Sequence, residues 1–358
     1  MIASLAPAMN PPVRARLVRG ALRSLGALPA PLQLLLAGGR PVRVDGQLLE
    51  PEVQLLLRVL SRVARPSFEE LPVAEAREEL RAEAALFGDP ARLPVASVSA
   101  QRIPADAGEL DARLYVPHGA DAPTPLLVYF HGGGFVCGDL DSHDAPCRFL
   151  AREAGVRVLA VHYRRAPEHP FPAAVEDGQA ALRFARAHAA QLGADPERIA
   201  VGGDSAGGNL AAVASLLARG ERWAPACQLL IYPVTDWSRK SRSYALFREG
   251  FFLTERQMDW YRKHYLGRAE HAGQDARASP LLAEDIAGAA PALVVVAGFD
   301  PLRDEGIAYA ERLRAAGVAV RLRVQWGLVH GFANAVTLGR APPAAMREIA
   351  GELRSGLA

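Results

Sequence analysis

Lysine is almost missing from this chain of 358 residues. Lys240 and Lys263 are the only two, so arginine carries nearly all of the positive charge. The formal net charge is only +2, which gives no basic excess of the kind that holds nucleic acid, and no nucleic-acid partner is expected. Cysteine is scarce as well. Cys137, Cys147 and Cys227 stand apart, with no CxxC pair and no metal-ligand spacing. That excludes a disulfide framework and a zinc-type site, and it points to reduced thiols in a cytoplasmic protein with no metal. No apolar run is long enough to span a bilayer. The first residues lack a basic start followed by an uninterrupted apolar core, so a secretory signal is not expected. Aromatic residues make up only 7% of the chain, so their crowding in the interval from Trp237 to Tyr265 stands out.

What is plentiful is apolar residues, half of the total, enough for one large domain with a cap. Residues 1–95 read as helical and irregular rather than stranded. Val13, Leu17, Ala21 and Leu25 recur at helical spacing beside Arg14, Arg19 and Arg23. Such a segment packs on the body of its own chain or lies on a membrane surface as a peripheral contact. A second helix is expected from Pro51 to Val63, with Leu55, Val59 and Leu60 inward. From Val95 the pattern changes. Strands are expected at 95–103, 110–116, 126–130, 156–163, 198–201, 228–232, 292–297 and 319–325. Helical stretches lie between most of them, and a last helix covers 343–353. Strands alternating with helices predict an α/β fold whose mostly parallel eight-stranded sheet is covered on both faces. The alternation fails between Tyr232 and Ala292, where a helical insertion of about 235–275 is expected. Together with residues 1–95 it could form a cap on a catalytic domain of residues 96–358.

Three short stretches carry chemistry. Gly203-Asp-Ser205-Ala-Gly207 stands between an apolar strand and an Ala/Leu-rich helix, the context of a nucleophile elbow that exposes a serine hydroxyl. A βα turn in which Ser205 only caps the helix would look the same in isolation. His131-Gly-Gly-Gly134-Phe135 follows directly on an apolar strand. Consecutive glycines there let the backbone N–H groups of Gly133 and Gly134 turn to one point, and with the N–H of Ala206 they make a candidate oxyanion hole. His131 reads as a structural hydrogen-bonder rather than a base. Asp300 ends the seventh strand and precedes Pro301, which suits a triad acid or a helix start. Asp304 and Glu305 are weaker candidates. His330 follows the eighth strand, with His162 and His169 as competitors for the base. The order Ser205, Asp300, His330 is the order of an α/β-hydrolase triad.

Taken jointly, these stretches resemble the bacterial hormone-sensitive-lipase-like carboxylesterases (family IV of the α/β-hydrolase superfamily) over roughly residues 95–335. Tyr163-Arg-Arg-Ala-Pro-Glu168 and Tyr232-Pro233 add to the likeness. Arg165 stands where the family usually has an aliphatic residue, a departure expected to touch packing rather than chemistry. The resemblance implies an α/β-hydrolase fold and a cap built from the N-terminal helices and the later insertion. It also implies hydrolysis of small-molecule carboxylic esters through an acyl-enzyme, without a cofactor, and it leaves a homodimer open. Amide or formamide hydrolysis with the same triad, or ligand binding without catalysis on the same fold, are the alternatives. The aromatic insertion predicts a preference for short- to medium-chain esters.

Overall fold

A computed structural model describes residues 11–62, 67–121, 123–267 and 271–358, with side chains from residue 17 onward. Eight strands form one sheet: β1 (Ser97–Ala105), β2 (Gly108–Val116), β3 (Thr124–Phe130), β4 (Arg157–Val161), β5 (Ala194–Asp204), β6 (Cys227–Ile231), β7 (Ala292–Phe299) and β8 (Val320–Val329). They lie side by side in the order β8-β7-β6-β5-β3-β4-β2-β1. The β1–β2 and β2–β4 pairs are antiparallel and the other five are parallel. The sequence-derived mostly parallel sheet is therefore right, and every expected strand is present. Its strongest members grow, since β5 begins at Ala194 and β8 continues to Val329.

Strand composition sets the layers. The central strands β6 and β7 are buried along their whole length, as continuous apolar runs are when helices cover both faces. Alternate residues of one strand feed two separate cores. Leu126, Val128 and Phe130 of β3 enter one, and Leu127 and Tyr129 enter the other.

The described helices are α1 (Pro11–Ala27), α2 (Ala30–Leu36), α3 (Pro51–Leu60), α4 (Val73–Phe87), α5 (Asp144–Ala154), α6 (Ala173–Ala187), α7 (Ala206–Leu217), α8 (Arg242–Leu246), α9 (Glu255–Leu266), α10 (Arg303–Ala315) and α11 (Ala341–Gly356). From residue 206 to residue 216 every side chain of α7 is buried, which explains a helix that is apolar on all sides. No described helix is long and apolar enough to cross a membrane.

Two N-terminal expectations need correction. The buried face of α1 runs through Leu22 and Gly26, while Leu17 is 59% exposed. Arginine causes the rotation. Arg23 donates to Asp89 at 2.8 Å and Arg19 donates to the carbonyl of Ala85 at 3.0 Å, so both turn inward and pin α1 to the end of α4. The helix thus packs on its own chain; Val13 and Arg14 lie outside the described side chains. Residues 1–95 also hold a short antiparallel ribbon, Arg43–Val44 with Gln47–Leu48, rather than helix and loop alone. The N–H of Glu50 then donates to the carbonyl of Gly327 at 3.0 Å, fastening this segment beside β8. The second helix ends at Leu60, with Val53, Gln54 and Leu55 buried and Val59 and Leu60 half-buried; Val63 lies outside the described residues.

Candidate active site

Backbone packing at the end of β5 explains the two glycines around Ser205. A Cβ on Gly203 would run into the Gly207 backbone and the Phe130 carbonyl, and one on Gly207 would run into that same carbonyl. With no side chain at either position, β3, the turn and α7 close on one another. Ser205 between them is held at φ 56° and ψ −118°, a conformation unfavourable for a residue with a side chain. Its N–H donates to the Ile231 carbonyl at 2.8 Å, and its own carbonyl accepts the N–H of Asn209 at 3.0 Å. The Asn209 amide in turn donates to the carbonyls of Val234 and Ala278. The serine is therefore fixed through its backbone, and its hydroxyl remains free to face the cavity.

His330 follows β8 immediately and reaches back over the sheet edge. Its Nε2 lies 3.0 Å from Ser205 Oγ, and its Nδ1 lies 2.7 Å from Asp300 Oδ2. Asp300 is wholly buried just beyond β7, and its Oδ1 accepts the N–H of Leu302 at 2.9 Å. The Tyr232 ring packs against the imidazole at 4.4 Å between centroids. Ser205, His330 and Asp300 thus form one unbroken hydrogen-bonded line. The competitors lie elsewhere. His162 sits behind the glycine loop, 5.7 Å ring to ring from His131. His169 closes a turn onto the Arg165 carbonyl. Asp304 accepts the N–H of Ser243, and Glu305 accepts the N–H of Thr235 at 2.7 Å.

The glycine loop reaches the same cavity. Gly133 and Gly134 adopt φ of +111° and +61°, and both line the cavity with Ser205 and His330. Gly133 turns its carbonyl away, toward the N–H groups of Val136 and Cys137. A Cβ on Gly134 would collide with the Tyr261 ring. Ala206 opens α7 directly after Ser205, among the N–H groups that a helix start leaves without an intrahelical partner. His131 is structural as expected. It is buried, stacks on Tyr163 at 4.3 Å, and faces the Gly132 carbonyl with Nδ1. Burial, with His143 and His162 nearby, pushes its pKa well below the usual histidine value. Arg165 does more than pack, since its guanidinium donates to the carbonyl of Gly138 at 2.5 Å, in the segment just past the loop.

Sequence reasoning passed over two buried neighbours of this loop, His143 and Asp204. The Gly132 N–H donates to Asp204 Oδ1 at 3.0 Å, and the Tyr129 hydroxyl donates to the same oxygen at 2.7 Å. His143 Nε2 stands 3.3 Å from that carboxylate. Burial works against the charge of Asp204, but the adjacent His143 and the Tyr129 hydroxyl outweigh it and hold the carboxyl below the usual aspartate range. An acid directly before Ser205 was the available signal. Nothing in the spacing linked it to a histidine 61 residues away.

The cavity measures about 370 Å³. Leu57, Leu60, Leu80 and Phe87 of α3 and α4 form one wall, and Phe252, Met258 and Tyr261 of the interval between β6 and β7 form another. Among the described residues no group of three or more His, Cys, Asp or Glu side chains is placed to hold a metal ion.

A family model described as the alpha/beta hydrolase fold matches residues 127–334, more than half of the chain. Carboxylic ester hydrolase LipN of Mycobacterium tuberculosis is 45% identical, over 98% of this chain and 96% of its own length. The chain belongs to the hormone-sensitive-lipase-like carboxylesterases of the α/β-hydrolase superfamily. Other relatives agree. The ethyl acetate hydrolase of Pseudomonas putida is 41% identical over 73% of this chain and 83% of its own. An ester hydrolase from the Lake Arreo metagenome, solved with a bipyridine phosphonate derivative, superposes with a TM-score of 0.81 at 42% identity, covering 86% of this chain and 98% of that one. The carboxylesterase is thus a carboxylic ester hydrolase.

Proposed function

We propose that Ser205 is the nucleophile of this carboxylesterase and that its substrates are small esters with short to medium acyl chains. Ser205 Oγ attacks the ester carbonyl while His330 Nε2 takes its proton. Asp300 holds the imidazole in the tautomer with Nδ1–H and stabilises the imidazolium that forms. The carbonyl oxygen, now an oxyanion, accepts the N–H groups of Gly133, Gly134 and Ala206. As the tetrahedral intermediate collapses, His330 gives its proton to the departing alkoxide and an alcohol leaves. Water then attacks the acyl-enzyme, His330 takes a proton from it, and the carboxylic acid departs with Ser205 restored.

The single observation that carries this reading is the hydrogen-bonded line from Ser205 Oγ through His330 to the buried Asp300 carboxylate. A cavity of about 370 Å³ sits at the small end of ligand sites, which commonly span about 300–1,000 Å³, and supports a compact ester as substrate. That one relative is named for ethyl acetate points the same way. We assign the cap role to residues 1–95 together with about 235–275, because their side chains supply both apolar walls. Three unpaired, buried cysteines support a reducing, cytoplasmic compartment. A panel of p-nitrophenyl esters from C2 to C16, with a matching anilide, tests the assignment. Turnover of the short esters, weak turnover of the anilide, and loss of the p-nitrophenol burst in Ser205→Ala are expected. A folded Ser205→Ala protein that still turns over the short esters would overturn it.

A further inference from the structure

The nucleophile turn and the glycine loop stand 72 residues apart in sequence at Asp204 and Gly132, yet their spacing decides whether an oxyanion on Ser205 can reach the loop N–H groups. One side chain bridges them directly. Asp204 precedes Ser205, Gly132 precedes Gly133, and the Gly132 N–H donates to Asp204 Oδ1 at 3.0 Å. The carboxylate must therefore be held still, and the groups around it show how.

A short chain of polar groups braces it. Asp139 N–H donates to Ser142 Oγ at 2.8 Å, and Ser142 Oγ lies 2.9 Å from His143 Nδ1. His143 Nε2 lies 3.3 Å from Asp204 Oδ1 and 3.4 Å from Oδ2. A carboxylate only accepts, so a bare Nε2 lone pair facing it would be repelled. Nε2 therefore carries a proton toward Asp204, while Nδ1 faces Ser142 Oγ, whose hydroxyl also has the Asp139 carbonyl within reach at 3.0 Å. Gly132 N, at 3.2 Å from Nε2, is then a neighbour that shares the same acceptor. Ser142, His143 and Asp204 all border the cavity, and the histidine and the acid are almost wholly buried.

We propose that His143 and Asp204 are positioning residues, a second histidine–carboxylate pair that sets the distance between Ser205 and the oxyanion donors of Gly133 and Gly134. The pair touches no reacting atom. It acts through Gly132, and its effect belongs to the transition state rather than to substrate binding.

The inference rests on the assignment of Ser205 as nucleophile, so Ser205→Ala is run alongside. Two isopolar variants separate position from polarity. In His143→Gln the amide N–H extends to the place of Nε2 and can still donate to Asp204. In His143→Asn the amide falls near Nδ1 and cannot reach it. With p-nitrophenyl butyrate, His143→Asn should lower kcat by about 10–100-fold with KM within about two-fold, below the about 10²–10³-fold expected when an oxyanion donor is removed outright. An aliphatic trifluoromethyl ketone, whose serine adduct carries an oxyanion, should weaken by the same factor. His143→Gln should stay within about three-fold of the parent on all three measures, as a retained hydrogen bond predicts. If His143→Asn does not fold, Ser142→Ala carries the test, with parallel losses in kcat and ketone affinity expected. Equal effects of Asn and Gln, a rise in KM with ketone affinity unchanged, or an inert Ser142→Ala would overturn the proposal. An active Ser205→Ala would instead overturn the nucleophile assignment.

Discussion

Asp300 divides its carboxylate between two partners: Oδ2 faces His330 Nδ1 at 2.7 Å while Oδ1 accepts the Leu302 N–H at 2.9 Å. The division determines what an amide would do there. In Asp300→Asn the side-chain oxygen is claimed by Leu302, so the NH2 group faces Nδ1 and forces the tautomer with Nε2–H. That tautomer cannot take the Ser205 proton. The expected loss in kcat is up to about 10⁴-fold, the cost of the same change in the chymotrypsin template. Asp304→Asn should remain within about ten-fold, because Asp304 serves the Ser243 N–H rather than the site. Steady-state rates on p-nitrophenyl butyrate check both, and a dead Asp304→Asn beside an active Asp300→Asn would reassign the acid.

Strain at Ser205 is a separate matter from its chemistry. Both Ser205→Ala and Ser205→Gly remove the hydroxyl and should be inactive. Only glycine is comfortable at φ 56° and ψ −118°. The glycine variant should therefore be the more stable of the two by about 1 kcal/mol, from strain of about 1–3 kcal/mol less the entropy glycine adds to the unfolded chain. Urea unfolding of the two proteins reads the difference, and an equal or lower midpoint for glycine would show that the elbow is not strained.

Glu305 offers a pH test. Its Oε1 accepts the N–H groups of Thr235 and Asp236, its Oε2 has no partner among the described residues, and the side chain is buried. Burial raises its pKa well above the usual glutamate value, and the two N–H groups offset this only in part. A raised carboxyl pKa means that the folded state holds the proton more tightly than the unfolded one. Its stabilising contribution is full below the ordinary glutamate value near 4.5 and is lost as pH climbs through the raised folded value. Glu305→Gln cannot ionise, so its Tm relative to the parent should rise from pH 5 to pH 9. A constant offset across that range would contradict the reading.

The legible parts of the site were those announced by backbone needs. Gly133 and Gly134 at positive φ, Gly203 and Gly207 in backbone contact, and Asp300 and His330 just beyond strand ends all leave marks in composition or at strand boundaries. The illegible parts were joined by side chains across long separations. His143, just before α5, and Asp204, at the end of β5, meet only in the folded chain, which no local period encodes. The α1 face was misplaced because hydrophobic spacing was weighed and the pull of Asp89 on Arg19 and Arg23 was not. The ribbon at 43–48 has two residues per strand, too few for an alternating pattern to register.

The last prediction concerns acyl length. Phe87 of α4 and Phe252 of the later interval approach to 5.8 Å between ring centroids, where the two apolar walls of the cavity meet. Each acyl methylene that fits this space should gain up to about 0.8 kcal/mol, roughly four-fold in kcat/KM. Specificity should therefore climb over the first few carbons. It should then fall when the chain meets the aromatic pair, because forcing extra methylenes into a packed space costs about 1–3 kcal/mol. Phe252→Ala removes one ring and should move the optimum to longer chains. Phe252 also lies against Gly331, next to His330, so displacement of His330 must be told apart from widening of the pocket. The acetate ester makes that distinction, because it has the fewest acyl carbons to meet the ring. Widening leaves kcat on the acetate within a few-fold of the parent while octanoate and decanoate improve, whereas a displaced His330 lowers all three together. A parent enzyme whose kcat/KM keeps rising through C16, with activation at a lipid–water interface, would mean that the walls part during turnover and that a long-chain lipid is the substrate.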